Sequence, residues 1–343
     1  MGFFKNFKIF SNDLAIDLGT ANTVIYQGGD IALNEPSVVA FDNTTDRIIA
    51  IGRDALEMVG KTHNDILTMK PMKDGVIADP RVAEGMLRAY IGKVSGNWAR
   101  RIIVCVPSGI TEAEKRIVRD SCEHAGAKEV HLIAEPMAGA IGIGIDVLKP
   151  NGNMIIDIGG GTTEIAVIAL GGIVRDQSIK IAGNILTESI LQYLRNEHNL
   201  VIGERVSEAI KHKAGSACPL DEELDVQVKG LDLLTGLPTM KTVSSIEIRE
   251  NALYPPLKQI MTSVINLLVD TPPELAADIY DRGIWLSGGG ALLKGLDKRI
   301  EKETQLKVHI PDEPLLAVAR GTGVVLDNLN QYRTVLLKHI PYL

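Results

Sequence analysis

At 343 residues, with 45% hydrophobic and 23% charged side chains, the chain has a globular composition and length enough for two domains, each with its own core. A net charge of -7 with no basic block argues against nucleic acid as the main partner. Cys105, Cys122 and Cys218 are odd in number and far apart, and no histidine stands at ligand spacing from a cysteine or another histidine, so the expectation is a reducing compartment without a zinc site.

No segment reaches the ~20 apolar residues of a membrane span, and no h-region marks a cleaved signal peptide. The first ten residues hold four of the five phenylalanines in the chain. On a helix Phe3, Phe4, Phe7 and Phe10 share one side, and Lys5, Asn6 and Lys8 lie elsewhere. That is the pattern of an interfacial membrane anchor, or of an arm packed on its own body or on a neighbouring subunit. Gly2 suggests myristoylation, but Asn6 stands where serine or threonine is wanted.

Asp13 to Tyr26 reads as strand, turn, strand, with Asp17 before a Gly-Thr-Ala-Asn turn. Residues 31–79 are expected as a small insertion, with short strands at 37–41 and 48–51 and a helical piece at 55–59. Pro80 to Val94 reads as an amphipathic helix burying Val82, Met86, Leu87, Tyr90 and Ile91. An exposed loop carrying Trp98 follows, then a buried strand over 101–106. Thr111 and Glu114 form a capping box that opens a helix to about residue 125. A strand over 130–134 leads to Glu135-Pro136, with proline at the preferred first position of a small-residue helix.

The second half begins with Asn153 to Leu170, a hairpin whose turn is Gly159-Gly160-Gly161-Thr162 and whose mouth carries Asp157. Glycines let several backbone N–H groups approach one anion. An aspartate there makes sense if a divalent cation sits between it and a phosphate. A strand (174–181) and a helix (about 185–197) follow. An insertion of about 185–248 includes that helix, a second one over 203–215, and strands at 225–231 and 241–246. Residues 249–270 read as largely helical. A strand at 283–286, a glycine turn, a helix over 291–303, a strand near 308–310 and a C-terminal helix of about 321–343 complete the chain. The last helix is expected to pack back on the first domain.

The order strand, helix, strand, Glu-Pro, small-residue helix occurs at 101–142 and again at 283–323, and Asp17 answers Asp157. This two-fold repeat predicts duplicated α/β domains, 11–150 and 151–343 after a 1–10 arm, around a cleft faced by both hairpins.

Both Asp-x-Gly hairpins, the Glu-Pro helix and Ser287-Gly288-Gly289-Gly290-Ala291 together resemble the superfamily of actin, sugar kinases and the seventy-kilodalton heat-shock chaperones. Residues 12–23, Leu33-Asn34-Glu35-Pro36-Ser37-Val38-Val39-Ala40 and Leu132-Ile133-Ala134-Glu135-Pro136-Met137-Ala138 narrow the resemblance to the bacterial actin homologues of the MreB family, over essentially the whole chain. The resemblance implies an actin-like ATPase fold of duplicated ribonuclease-H-like domains around a nucleotide cleft. It implies ATP/ADP and Mg²⁺ as cofactors. Thr20, Ala21 and Asn22 would contact phosphates from one side, and Gly159, Gly160, Gly161 and Thr162 from the other. Asp17 and Asp157 would hold Mg²⁺, chiefly through its waters.

Glu135 would orient or deprotonate the attacking water, with Thr163 as a helper; the bland alternative for Glu135 is a helix cap. Gly288, Gly289, Gly290 and Ala291 resemble the adenosine loop. Glu208 and Lys211 match the family's Glu-x-x-Lys contacts to ribose and base, although an i,i+3 charge pair is common on any helix surface. Ala182-Gly183-Asn184 departs from the family's usual Gly-Gly-Asp, so Asn184 lacks the expected charge. The implied function is a slowly hydrolysing cytoskeletal ATPase, cytoplasmic and peripheral at the inner face of the cell membrane, that polymerises with itself and organises the wall-elongation machinery and its membrane adaptors to set rod shape. Phe3, Phe4, Phe7, Phe10 and Trp98 suit membrane contact. A chaperone-type ATPase or a small-molecule kinase of the same fold is the alternative.

Overall fold

The computed structural model describes residues 12–96 and 99–338. The membrane expectations on Phe3, Phe4, Phe7, Phe10 and Trp98 lie outside these residues. The chain divides into two units, residues 1–144 with 318–343, and residues 145–317.

The first unit opens with the hairpin of β1 (Leu14–Leu18) and β2 (Asn22–Gln27), in which Asp17 faces Val24 and Leu18 faces Thr23. β3 (Asp30–Pro36) pairs antiparallel with β2. Residues 31–36, expected within the insertion, are thus part of the main sheet. Their polar ends and terminal proline hid an edge strand, the position where a missing N–H is tolerated. β4 (Val39–Asp42), β5 (Arg47–Ile51) and β6 (Ile66–Met69) make a separate small sheet in the order β5-β4-β6, with α1 (Arg53–Met58) among them. A tiny hairpin, β7 (Met72–Lys73) and β8 (Val76–Ile77), leads into α2 (Pro80–Ser95).

The ends of α2 are set by local chemistry. The Asp79 carboxylate accepts from Val82 N–H, Pro80 needs no donor partner in the first turn, and Gly96 closes the helix in the left-handed region at φ 72°. Val82, Met86, Leu87, Tyr90 and Ile91 are buried together on one face, as their spacing predicts. β9 (Ala99–Val106) follows, then α3 (Glu112–His124) with both bonds of the Thr111–Glu114 capping box in place, β10 (Ala127–Ala134) and α4 (Glu135–Gly142). The sheet order is β10-β9-β1-β2-β3; β9 lies parallel to both β1 and β10.

The second unit repeats the plan. β11 (Asn153–Ile158) and β12 (Thr163–Ala169) form the hairpin, and β13 (Gly172–Ile179) pairs antiparallel with β12. α5 (Gly183–His198), β14 (Leu200–Val201), α6 (Glu204–Ala214), β15 (Asp225–Asp232) and β16 (Pro238–Ser244) come next. The short turn α7 (Ser245–Glu247) then runs into a π-helical segment, Ile248–Leu253, and into α8 (Tyr254–Val269). Pro255 and Pro256 have no N–H to return to carbonyls four residues back, and Tyr254 N–H bonds instead to Arg249 O, five residues back.

α9 (Pro273–Arg282) was not legible from periodicity, since Ile279 alone of its residues is buried. β17 (Ile284–Ser287), a 3₁₀ turn at Gly289–Leu292, α10 (Leu296–Thr304) and β18 (Val308–His309) complete the sheet, whose order is β13-β12-β11-β17-β18. The helix expected over 291–303 starts at Leu296 because Gly295, at φ 72°, turns the chain just before it. Read from the other edge, this sheet has the order, and the pattern of parallel and antiparallel pairs, of the first.

The chain returns to the first unit in α11 (Ala317–Asp327) and α12 (Leu329–Tyr332), followed by a 3₁₀ turn at Arg333–Val335. The single helix expected over 321–343 is therefore broken. Asn328 leaves helical geometry at φ -126°, ψ 41°, and Leu336 bridges to Ile133 at the sheet. α11 approaches the sheet and α4 closely: a Cβ on Gly321 would fall 1.7 Å from Ala138 O, and one on Gly323 would meet the Tyr26 ring.

Candidate functional site

In the first unit Asp17 is the fourth residue of β1, and its direct partner on the parallel strand β9 is Cys105. Cys105 Sγ lies 3.2 Å from Asp17 Oδ1 and 3.6 Å from Ile16 O. Burial pushes the Asp17 carboxyl up to about 6, and the thiol hydrogen bond opposes that shift. The Cys105 thiol is pushed well above its ordinary value, first by burial and then by the negative charges of Asp17 and Glu135. Glu135 starts α4 directly after β10 and is half-buried, with Ala134 providing no side-chain cap.

The β1–β2 turn is held from several sides. Ser37 Oγ donates to Gly19 O at 2.7 Å and lies 2.9 Å from Thr23 Oγ1, and Ser37 N–H bonds to Ala21 O. Thr20 is buried, and its hydroxyl accepts from Gly75 N–H. Ala21 and Asn22 are exposed.

In the second unit Asp157 stands at the same place on β11 and faces Ser287 on the parallel strand β17. Ser287 Oγ donates to Asp157 Oδ1 at 2.5 Å. The turn Gly159–Thr162 is closed by Gly159 N–H to Thr162 O. The start of α5 docks on it, with Gly183 N–H bonding to Gly159 O and Asn184 N–H to Gly160 O. The backbone of Asn184 is thus committed to the turn whatever its side chain carries. A Cβ on Gly183 would sit 3.2 Å from Gly159 O and 3.5 Å from Lys211 Nζ, so glycine keeps this cradle open.

Lys211 and Glu208 are joined to the same network. Lys211 Nζ lies 2.9 Å from each of Gly183 O, Thr187 Oγ1 and Glu208 Oε2. The Thr187 hydroxyl also donates to Glu208 Oε2, and His212 approaches Glu208 Oε1. Burial would raise the Glu208 carboxyl, but the Lys211 charge and the Thr187 hydroxyl outweigh it and hold it below the usual carboxylate range. The residues that resemble an adenosine loop close the group. Gly288 is left-handed at φ 78°, and a Cβ there would lie 2.4 Å from Ile158 O, beside the Gly159–Thr162 turn. Gly289, Gly290 and the buried Ala291 form the 3₁₀ turn that follows.

The structure therefore brings together Asp157, Gly159–Thr162, Glu208, Lys211 and Gly288–Ala291 in one unit, and Asp17, Thr20–Asn22 and Glu135 in the other. Thr163 is fully buried, and its hydroxyl donates to Ile181 O at 2.7 Å. Cys105, Ser287 and Thr187 were not assigned to the site from the sequence. The first two had a signal: aligning the repeats puts them at the same strand end, each beside an aspartate-bearing strand.

Residues 11–334 match the profile of the MreB/Mbl protein family. The chain belongs to the MreB/Mbl family. The cell shape-determining protein MreB of Escherichia coli K12 is 47% identical over 338 residues, covering 96% of this chain and 97% of that protein. The cell shape-determining protein Mbl of Bacillus subtilis 168 is 44% identical over 327 residues, covering 94% and 98%. MreB5 of Spiroplasma citri, solved bound to ADP, superposes with a TM-score of 0.89 at 39% identity, covering 93% and 97%. A MamK double helical filament shares the fold at a TM-score of 0.76 and 22% identity. The fold is actin-like, and the chain is a member of a family of actin-like, cell shape-determining proteins.

Among the described residues no group of three or more His, Cys, Asp or Glu is arranged to hold a metal ion by itself. Mg²⁺ rarely uses such a cage; it keeps several waters and takes one or two carboxylates together with phosphate oxygens. Asp157 beside an open glycine turn fits that donor chemistry, and Asp17 beside the Thr20 turn fits it equally.

Proposed function

We propose that the chain binds and slowly hydrolyses ATP, polymerises with itself, and acts at the inner face of the membrane to organise wall synthesis in rod-shaped cells. The continuous network from the Gly159–Thr162 turn through Gly183 to Lys211 and Glu208 carries the nucleotide part of this reading, because it links a phosphate-type turn to nucleoside-type side chains within one unit. Support comes from MreB5 of Spiroplasma citri, solved bound to ADP and to AMPPNP with TM-scores of 0.89 and 0.88.

Glycine backbone at 159–161 and Thr162 would take phosphate oxygens, Gly288–Ala291 would lie against the nucleoside, and Glu208 with Lys211 would fix ribose and base. By family likeness Thr20, Ala21 and Asn22 take the same ligand. By family likeness Asp17 and Asp157 would hold Mg²⁺, which would supply charge neutralisation at the phosphates. Glu135 orients the attacking water and accepts its proton, a role that typically contributes about 10²–10⁴-fold. Thr163 acts indirectly, by holding Ile181 O just before the start of α5.

Polymerisation and the wall partners are assigned from the family, as are the membrane contacts of Phe3, Phe4, Phe7, Phe10 and Trp98. No helix among the described residues is long and apolar enough to cross a membrane. Phosphate release tests the hydrolytic step. Glu135→Ala is expected to keep ATP affinity within about threefold and to lose about 10²-fold or more in turnover; wild-type turnover in that variant would remove Glu135 from the mechanism.

A further inference from the structure

The two carboxylates assigned to Mg²⁺ are each held by a side chain from the neighbouring parallel strand, and the two holders differ. Asp17 faces Cys105 and Asp157 faces Ser287, each pair in direct register. In both pairs the neighbour donates to Oδ1 of the aspartate, at 3.2 Å from sulfur and at 2.5 Å from oxygen. Both donors are buried; Ser287 is fully so and Cys105 is 2% exposed. The coincidence extends to the strands, since β9 and β17 hold the same place in two sheets of the same order.

We infer that Cys105 and Ser287 are positioning residues that aim the Asp17 and Asp157 carboxylates at the metal–phosphate group, with Ser287 the tighter holder and Cys105 the looser. The inference rests on the nucleotide reading of the site.

The physical basis is one hydrogen bond to one carboxylate oxygen. It restricts the side-chain rotamer and so biases the direction in which the carboxylate points. An aspartate without that bond would sample more rotamers and would have to be ordered on binding, at an entropic cost. A hydroxyl donates more strongly than a thiol, whose S–H is a weak donor. Cys105 also divides its single proton between Asp17 Oδ1 and Ile16 O, 3.6 Å away. Ser287 has one short bond, to Asp157. Asp157 is therefore the more rigid of the two carboxylates, and Asp17 keeps freedom to adjust.

The test is equilibrium binding of a fluorescent ATP analogue to the full chain, with and without Mg²⁺, alongside thermal unfolding. Loss of a partner that orients a metal-holding group typically costs about 10–100-fold in metal affinity. Ser287→Ala is expected to lower the Mg²⁺-dependent gain in affinity about tenfold, with Ser287→Cys recovering part of it. Cys105→Ala is expected to lower it about threefold, and Cys105→Ser to restore or exceed wild type, as a weak donor is replaced by a stronger one. Mg²⁺-free affinity should change less than about twofold in all four, which a merely structural defect would not respect.

Asp17→Ala and Asp157→Ala run in parallel separate the two levels of the reading. If these lose the Mg²⁺ effect while Ser287→Ala and Cys105→Ala keep it, the positioning inference is overturned and the site reading stands. If the aspartate variants also keep it, the site reading itself fails.

Discussion

Lys211 Nζ lies 2.9 Å from Gly183 O, so a lysine on α6 bonds the backbone carbonyl at the first residue of α5. Gly183 is in turn bonded to the turn carbonyl of Gly159. One ammonium thus couples the phosphate-type turn to Glu208. Lys211→Met keeps the stem and removes the charge. Hydrogen bonds to charged groups contribute about 1.5–3 kcal/mol, so ATP affinity should fall roughly tenfold or more. Lys211→Arg, with a different donor geometry, should recover only part of it. Titration of ATP into each variant gives the answer, and unchanged affinity in Lys211→Met would return the Glu208–Lys211 pair to an ordinary surface charge pair.

Asp17 predicts a pH-dependent stability. Its folded carboxyl is pushed up to about 6 from an ordinary 3.8. The folded state therefore holds a proton that the unfolded chain has already released. Stability contributed at this position is present below about pH 4, falls as the pH rises between the two values, and is lost above about 6. Asp17→Asn removes the cost of an ionised buried carboxylate. The variant should melt higher than wild type at pH 7 in the absence of nucleotide, and the difference should vanish near pH 4. Melting curves across that range check the sign; a destabilised Asp17→Asn at pH 7 would contradict it.

Thr163 separates a structural from a chemical role. Thr163→Val keeps shape but leaves Ile181 O without the hydroxyl, a loss of about 1–3 kcal/mol for a buried group. Thr163→Ser should restore it. The geometry predicts a lowered melting temperature in Thr163→Val, with turnover per folded molecule close to wild type. A collapse of phosphate release without loss of stability would instead support direct contact with water.

Two glycines are expected to respond in opposite ways. At Gly288 the left-handed φ of 78° and the 2.4 Å approach to Ile158 O both oppose a side chain. The left-handed conformation alone costs roughly 1–2 kcal/mol for an L-residue, so Gly288→Ala should lower the melting temperature markedly. At Gly183 the nearest atom to an added Cβ is 3.2 Å away. Gly183→Ala should therefore cost less stability than Gly288→Ala, while crowding the cradle and weakening nucleotide binding. Equal melting temperatures for the two variants would contradict this contrast.

Much of the fold was legible because the duplication repeats motifs in a fixed order. Asp17 and Asp157, the Glu-Pro helix start and the glycine turn at 288–290 identified both sheets before their strands were placed. What escaped has physical reasons. β3 ends in proline and alternates weakly, so it did not stand out as a strand. α9 buries too little to show a period, and the π-helical segment at 248–253 depends on two prolines downstream. The C-terminal helix breaks at Asn328, a residue with no sequence signal strong enough to end a helix. At the site, glycines and charged residues announced themselves by type. Cys105 and Ser287 did not, because a donor's value depends on which strand lies beside it.

The central claim is that nucleotide drives assembly of this chain, and ATP-dependent sedimentation measures it most directly. Full-length protein with ATP and Mg²⁺ should pellet in proportion to its concentration above a threshold, and should stay in the supernatant without nucleotide or as the Asp157→Ala variant. Protein that remains in the supernatant with ATP and Mg²⁺ at every concentration, or that pellets equally with and without nucleotide, would contradict the account.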